Sequence, residues 1–297
     1  MRPLETLTYS ESGEVAEIVL NRPRMNMQMV RELTAVCDHL EDTSACKVAV
    51  FRGRDGVFSE GIDFEEFRPD QGMDIHGFNK WEKLCVRIER LPKVTIAALH
   101  GRVEGAGLQL ALACDQRIAT ADAVLHVPEV HMGFLPGMAV FRLAKYIGLG
   151  RAKRLLLTAP ELTAEAGVEL GLLDEVVGDL DGGIASTIAS FGPIHVVAVE
   201  MARRLLNEIA SAALGWGGRD DTQRDSLYTR IDQIVQRLLH DFVDDPAIFT
   251  ELLVDFLAFT SDERRRSELL EQRTRDAEEG RALAHPRRRP EIRRSRN

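Results

Sequence analysis

The sequence predicts an α/β protein built on a parallel sheet and followed by a wholly helical C-terminal region. Three observations carry this expectation. Short β-rich runs show little polar alternation, amphipathic helical stretches lie between them, and beyond about residue 183 only helical periodicity remains.

The strands come first in the argument. VAEIVL (15–20), KVAVFRG (47–53) and VTIAALHG (94–101) are apolar almost throughout, as strands covered on both faces must be. MVRELTAVCDHLED (29–42) and IHGFNKWEKLCVRIERL (75–91) repeat apolar residues at three and four spacing, which predicts helices between those strands. QRIATADAVLHVPEV (116–130) resumes short strands. MAVFRLAKYIGLGRAKRLLLT (138–158) reads as two helices broken at Gly148 to Gly150, and LTAEAGVELGLLDEVV (162–177) as a helix stopped by Gly171 with a return strand.

The remainder is helical. VVAVEMARRLLNEIASAAL (196–214) is interrupted by GWGGRDD (215–221), and three further helical runs extend to residue 279. The expected organisation is an α/β core over 1–185, a helical region over 186–280 with an insertion near 214–240, and a basic tail over 281–297.

Composition excludes several classes. The chain has 297 residues and a formal charge of -9, yet the tail holds seven Arg and one Glu, which leaves a strongly acidic body. An acidic body makes nucleic acid an unexpected partner. No apolar run approaches the roughly 18 residues of a spanning helix. The opening MRPLETLTYSESGE lacks the apolar stretch of a signal peptide, so a cytoplasmic protein is the default expectation. Cys37, Cys46, Cys85 and Cys114 form no CxxC pair and the histidines no metal spacing, so no metal is expected.

Chemistry is expected at two glycine turns. VFSEGIDFEEF (57–67) and GRVEGAGLQL (101–110) each follow a buried strand, and each is placed to aim a backbone N–H, from Ile62 and from Ala106, at one common oxygen. Gly61, Gly105 and Gly107 supply the missing Cβ atoms that let a ligand carbonyl approach. Neither turn is a dinucleotide fingerprint or a Walker loop.

Taken together, NRP (21–23), FSEGIDF, GRVEGAGLQLALACDQRIATADA and PEVHMGFLPG (128–137), in this order and spacing, resemble the crotonase (enoyl-CoA hydratase/isomerase) superfamily. FTSDERRRSELLEQR (259–273) resembles that family's closing helix. The resemblance implies a spiral core of repeated ββα units, a helical C-terminal region and assembly as a homotrimer or hexamer. It also implies a CoA or carrier-protein thioester as substrate, with no cofactor beyond it, held as an enolate between the Ile62 and Ala106 amides. Hydratases of the family use two glutamates. The second matches Glu129, whereas the first matches Gln109, an amide that cannot exchange a proton at neutral pH.

One carboxylate favours a proton shuttle, the pattern of the family's double-bond isomerases. Glu104 and Glu60, immediately before the two turn glycines, are alternative second acids that would restore hydration or dehydration. Decarboxylation and C–C cleavage pass through the same enolate, and loss of catalysis in favour of a binding or assembly role is the reading of a different class. Glu60 and Asn26 complete the expected substrate contacts; the loop between NRP and Asn26 is about one residue shorter than the resembled family's CoA-contacting loop, which implies altered CoA recognition.

Overall fold

The computed structural model describes residues 3–66, 75–133 and 136–214. The expected helices after residue 214, most of the insertion at 214–240 and the Arg-rich tail lie outside the described residues. In chain order the elements begin β1 (Leu7–Ser12), β2 (Val15–Leu20), α1 (Met27–Asp42), β3 (Val48–Arg52) and α2 (Ile75–Glu89). They continue with β4 (Val94–Leu99), β5 (Arg102–Glu104), α3 (Ala106–Ala113), β6 (Gln116–Thr120), β7 (Val124–His126) and α4 (Ala139–Thr158). The last are β8 (Leu162–Thr163), α5 (Ala164–Leu170), β9 (Glu175–Val177), α6 (Leu180–Ser190) and α7 (Val196–Leu214).

Six strands form the main sheet in the order β1-β2-β3-β4-β6-β9. Only the β1–β2 hairpin is antiparallel; β2 through β9 pair in parallel. β5 and β7 pair in parallel and β7 and β8 antiparallel to make a second, small sheet, which Ser59 joins by bridging Val103. The chain therefore repeats one unit: a strand in the main sheet, a step into the small sheet, then a helix. β3–Ser59–α2, β4–β5–α3 and β6–β7–α4 are three such turns, the repeated ββα architecture of the crotonase fold.

Burial explains the apolar strands. All six residues of β4 are buried, because helices cover both faces of the main sheet. On one face α1 packs Leu33, Val36 and Leu40 with Phe51 and Ile88; on the other, Val48, Ile96 and Ile118 meet Leu180 of α6. Every residue of α3 is buried, so this helix is the hydrophobic centre of the molecule. The sequence placed no strand at β1, whose LTYSES is mostly exposed, since an edge strand can be polar on the face it shows to water.

The remaining boundaries follow local chemistry. The Asn26 side chain accepts from Met29 N at 2.9 Å and caps α1. Gly148, at φ 76° and ψ 157°, splits α4 into two helical pieces, and Gly171 ends α5. All four cysteines are free and buried, and burial pushes the Cys37 thiol up to about 12. No helix among the described residues is long and apolar enough to cross a membrane.

Candidate active site

The two glycine turns meet where the small sheet gives way to α3. Ser59 N donates to Arg102 O at 3.0 Å and Glu104 N to Ser59 O at 2.9 Å, so residues 57–60 run beside β5 as an extra strand. The next residues are held from the other side. Met25 N donates to Gly61 O at 2.8 Å and Asp63 N to Met25 O at 2.9 Å, a parallel bridge that leaves the Ile62 N–H pointing away from Met25. Ala106 is the first residue of α3, where backbone N–H groups have no intrahelical acceptor. Among the described residues neither amide has a backbone acceptor.

Glycine is obligatory at both turns. Gly61 sits at φ 85°, and a Cβ there would stand 3.3 Å from Glu104 O and 3.8 Å from Ala106 N, so the two turns touch. Gly105 sits at φ 50°, and its Cβ would stand 2.6 Å from Oε1 of Glu129. The carboxyl of Glu129 therefore lies directly against the turn that begins α3. Ala106 itself has no positive φ, so a side chain there carries no backbone strain.

Glu129 follows β7 in a tight turn and is 9% exposed. Its Oε2 is buried with no hydrogen-bond partner. Burial raises its pKa above the usual carboxylate range and the negative charge of Glu104 adds to the rise. Gln109, one turn into α3, is 3% exposed and its Oε1 is likewise buried and unpartnered. Both side chains line one cavity of about 330 Å³, at the small end of the roughly 300–1,000 Å³ typical of ligand pockets.

The other acids are differently placed. Glu104 also lines the cavity, yet its Oε2 accepts from Arg102 Nη2 at 2.6 Å and Nε at 3.1 Å, with His126 Nδ1 at 3.5 Å. Glu60 lies at the cavity rim and pairs with Arg24 at 3.2 Å. His126 and His131 each contact a backbone carbonyl through Nε2, at Ala159 and Leu157.

Two expected substrate contacts lie elsewhere. Asn26 is committed to its cap and to Glu66, which accepts from Nδ2 at 3.0 Å, so it is absent from the cavity wall. Gly107 packs against Ser59, whose Cβ would stand 2.6 Å from an added Cβ, and so seats α3 on the first turn rather than facing the cavity. The residues that sequence reasoning missed are Trp81 and Glu82 of α2 and Met138 and Val140 at the start of α4, all on the cavity wall. Helical periodicity marked both segments, but nothing in a linear pattern separates a core position from a cavity position.

Residues 10–212 match the family described as Enoyl-CoA hydratase/isomerase. The chain belongs to this family. Within the enoyl-CoA hydratase/isomerase family it is similar to the short-chain-enoyl-CoA hydratase of Clostridium acetobutylicum, 30% identical over 216 residues, 69% of this chain and 82% of that one. The ethylmalonyl-CoA decarboxylase of Danio rerio is 34% identical over 183 residues, 59% of this chain and 60% of its own. A solved enoyl-CoA hydratase from Shewanella pealeana superposes with a TM-score of 0.67 at 25% identity, over 78% of this chain and 88% of its own. Residues 198–245 also match the second domain of a family of unknown function.

Proposed function

We propose that the protein isomerises enoyl-CoA thioesters with Glu129 as its single acid/base. The observation that carries this reading is the contrast among the cavity carboxyls: Glu129 is buried and unpartnered at Oε2, whereas Glu104 and Glu60 are each held by an arginine. A proton α to a thioester is too weakly acidic for a carboxylate unless the enolate oxygen is stabilised, and one aimed donor contributes roughly 3–4 kcal/mol to that. The Ile62 and Ala106 amides take that role. Glu129 removes the C2 proton of a 3-enoyl thioester, the electron pair of C2–H becomes the C1–C2 bond of the enolate, and charge rests on the thioester oxygen. The enolate then collapses, the double bond moves to C2–C3, and Glu129 returns the proton to C4.

Gln109 supports the single-base reading. Hydration needs a second group to position water and trade a proton with it, and an amide does only the first. The raised pKa of Glu129 suits a group that must both take and give a proton near neutrality.

The test is solvent deuterium uptake, followed by mass spectrometry, on saturated, 2-enoyl and 3-enoyl CoA thioesters, with Glu129→Gln as control. Exchange and double-bond migration that vanish in the variant are the expected result. A product heavier by one water would instead assign a hydratase, and binding without exchange would sink the isomerase reading.

Decarboxylation is the second reading, favoured by the similarity to a decarboxylase and by the missing first glutamate. Loss of CO₂ from a 2-carboxyacyl thioester gives the same enolate without a base. Glu129 would then only protonate C2. Release of CO₂ from a malonyl-type thioester separates the two reactions.

A further inference from the structure

Methionine is divided unevenly between the core and the cavity. Met25, Met29 and Met201 are buried, and Met27 is half-buried against the core. Met132 and Met138 are 48% and 38% exposed, and both line the cavity that holds Glu129. Among the described residues, every exposed methionine is therefore also a wall of the candidate active site. Met132 closes the turn that presents Glu129, with its N–H directed at Pro128 O at 3.2 Å and Glu129 O at 3.1 Å. Met138 immediately precedes α4, and Ile62, Phe64, Pro128 and Val140 supply other apolar parts of the same wall. Cysteine, usually the first residue to meet an oxidant, is withdrawn. All four are buried, and burial pushes the thiols of Cys37, Cys85 and Cys114 up, so their reactive thiolates are scarce at neutral pH. A thioether needs no deprotonation to act as a nucleophile, so its reaction with an oxidant follows access alone.

We propose that Met132 and Met138 form an oxidation site for hydrogen peroxide, and that sulfoxide formation there weakens acyl-thioester binding. The inference rests on the proposed acyl-thioester reading of the cavity. The thioether lone pair attacks one peroxide oxygen and the O–O bond breaks. The second oxygen leaves as water, carrying away the proton of the first. Sulfur thereby loses two electrons and the peroxide gains them. The product bears a polar S–O group on a wall that was apolar. An acyl chain that expels water from this wall must then desolvate that group, a cost the unmodified thioether does not impose. Leucine has the apolar bulk without the sulfur, so it separates oxidation at this wall from oxidation elsewhere.

In the experiment hydrogen peroxide is added to the full chain in increments. Oxidised residues are located by peptide mass mapping, and binding of hexanoyl-CoA is followed by calorimetry. Met132 and Met138 should each gain one oxygen before Met25, Met29 and Met201, and before any of the four cysteines. Bound hexanoyl-CoA should slow both oxidations. Its affinity should fall on the order of tenfold once both sulfoxides have formed, and methionine sulfoxide reductase should restore it. In the double variant Met132→Leu/Met138→Leu, peroxide should leave the affinity where it stood before treatment, whatever that starting value is. Oxidation of the buried methionines or of a cysteine in step with Met132 and Met138 overturns the proposal while leaving the function reading intact. Unchanged affinity with both sulfoxides in place also overturns it, as does an equal loss in the double variant, which would place the damage elsewhere. Untreated protein that binds no hexanoyl-CoA removes the function reading and this inference with it.

Discussion

Glu104 and Glu129 stand on neighbouring segments of the small sheet and line one cavity, yet they are prepared for different work. Glu104 ends β5, with Arg102 on its carboxylate and His126 beside it. Glu129 lies three residues beyond β7, pressed against the Cα of Gly105 with one oxygen unpartnered. The same functional group is thus paired with an arginine in one place and left buried with an unpartnered oxygen in the other, where burial raises its pKa. Partner supply, and not residue type, separates a structural carboxylate from a candidate base.

The strongest way to break the comparison is Glu129→Gln. We expect kcat to fall by roughly two to four orders of magnitude, the usual contribution of a positioned acid/base. Stability should move the other way. In the folded state the carboxyl's pKa is raised, so folding favours its protonated form. Below the unfolded pKa both states hold the proton and no penalty exists; as pH rises through the folded pKa the penalty grows to its full size. The variant should therefore melt above wild type at neutral pH and equal it in acid. Melting curves that stay parallel across pH would show that Glu129 is not destabilised by burial.

Gly105→Ala attacks the contact between the turn and the Glu129 carboxyl. The added Cβ meets Glu129 Oε1 at 2.6 Å and the backbone is at φ 50°, so the Glu129 carboxyl must move and the turn must strain. A loss of about 100-fold in kcat is expected, with destabilisation of about 1–3 kcal/mol, and kinetics with a denaturant melt read both. Gln109→Glu sharpens the comparison by adding a second unpartnered carboxyl to the cavity. Two such groups raise one pKa and restore the pair that a hydratase uses. Appearance of a hydrated product from a 2-enoyl thioester is the expected gain, and its absence would show that the cavity lacks a place for the water.

How far all this was legible in the sequence depends on how local the signal is. The parallel strands were legible because burial on both faces leaves a run such as VTIAAL with no polar position, and the break at Gly148 because glycine marks it directly. The two glycine turns were legible because each is one short motif, and the structure holds Gly61 and Gly105 at positive φ. β1 was not, since an exposed edge strand has no apolar pattern to read. Asn26 shows a related limit: an asparagine before a helix serves its cap, and the sequence does not show which of its atoms are already taken. Trp81 and Glu82 were hidden because α2 approaches the cavity from about 50 residues away from Glu129, and only the folded chain brings them to one wall.

The smallest expected effect decides most cleanly between the two carboxyls. Glu104→Gln removes the negative charge that adds to the raised pKa of Glu129, while Arg102 retains Glu161 at 3.1 Å as a partner. The acidic limb of the rate profile should therefore shift to lower pH. Activity at neutral pH should change by less than about tenfold, because a group acting through another alters its protonation and not the chemical step. A loss as deep as that of Glu129→Gln would instead make Glu104 the second acid, and hydration would replace isomerisation as the reaction of this site. An unshifted limb with full activity would mean that the Glu104 charge does not reach Glu129, leaving burial, opposed by a backbone hydrogen bond and by His126, to set the proton affinity of Glu129.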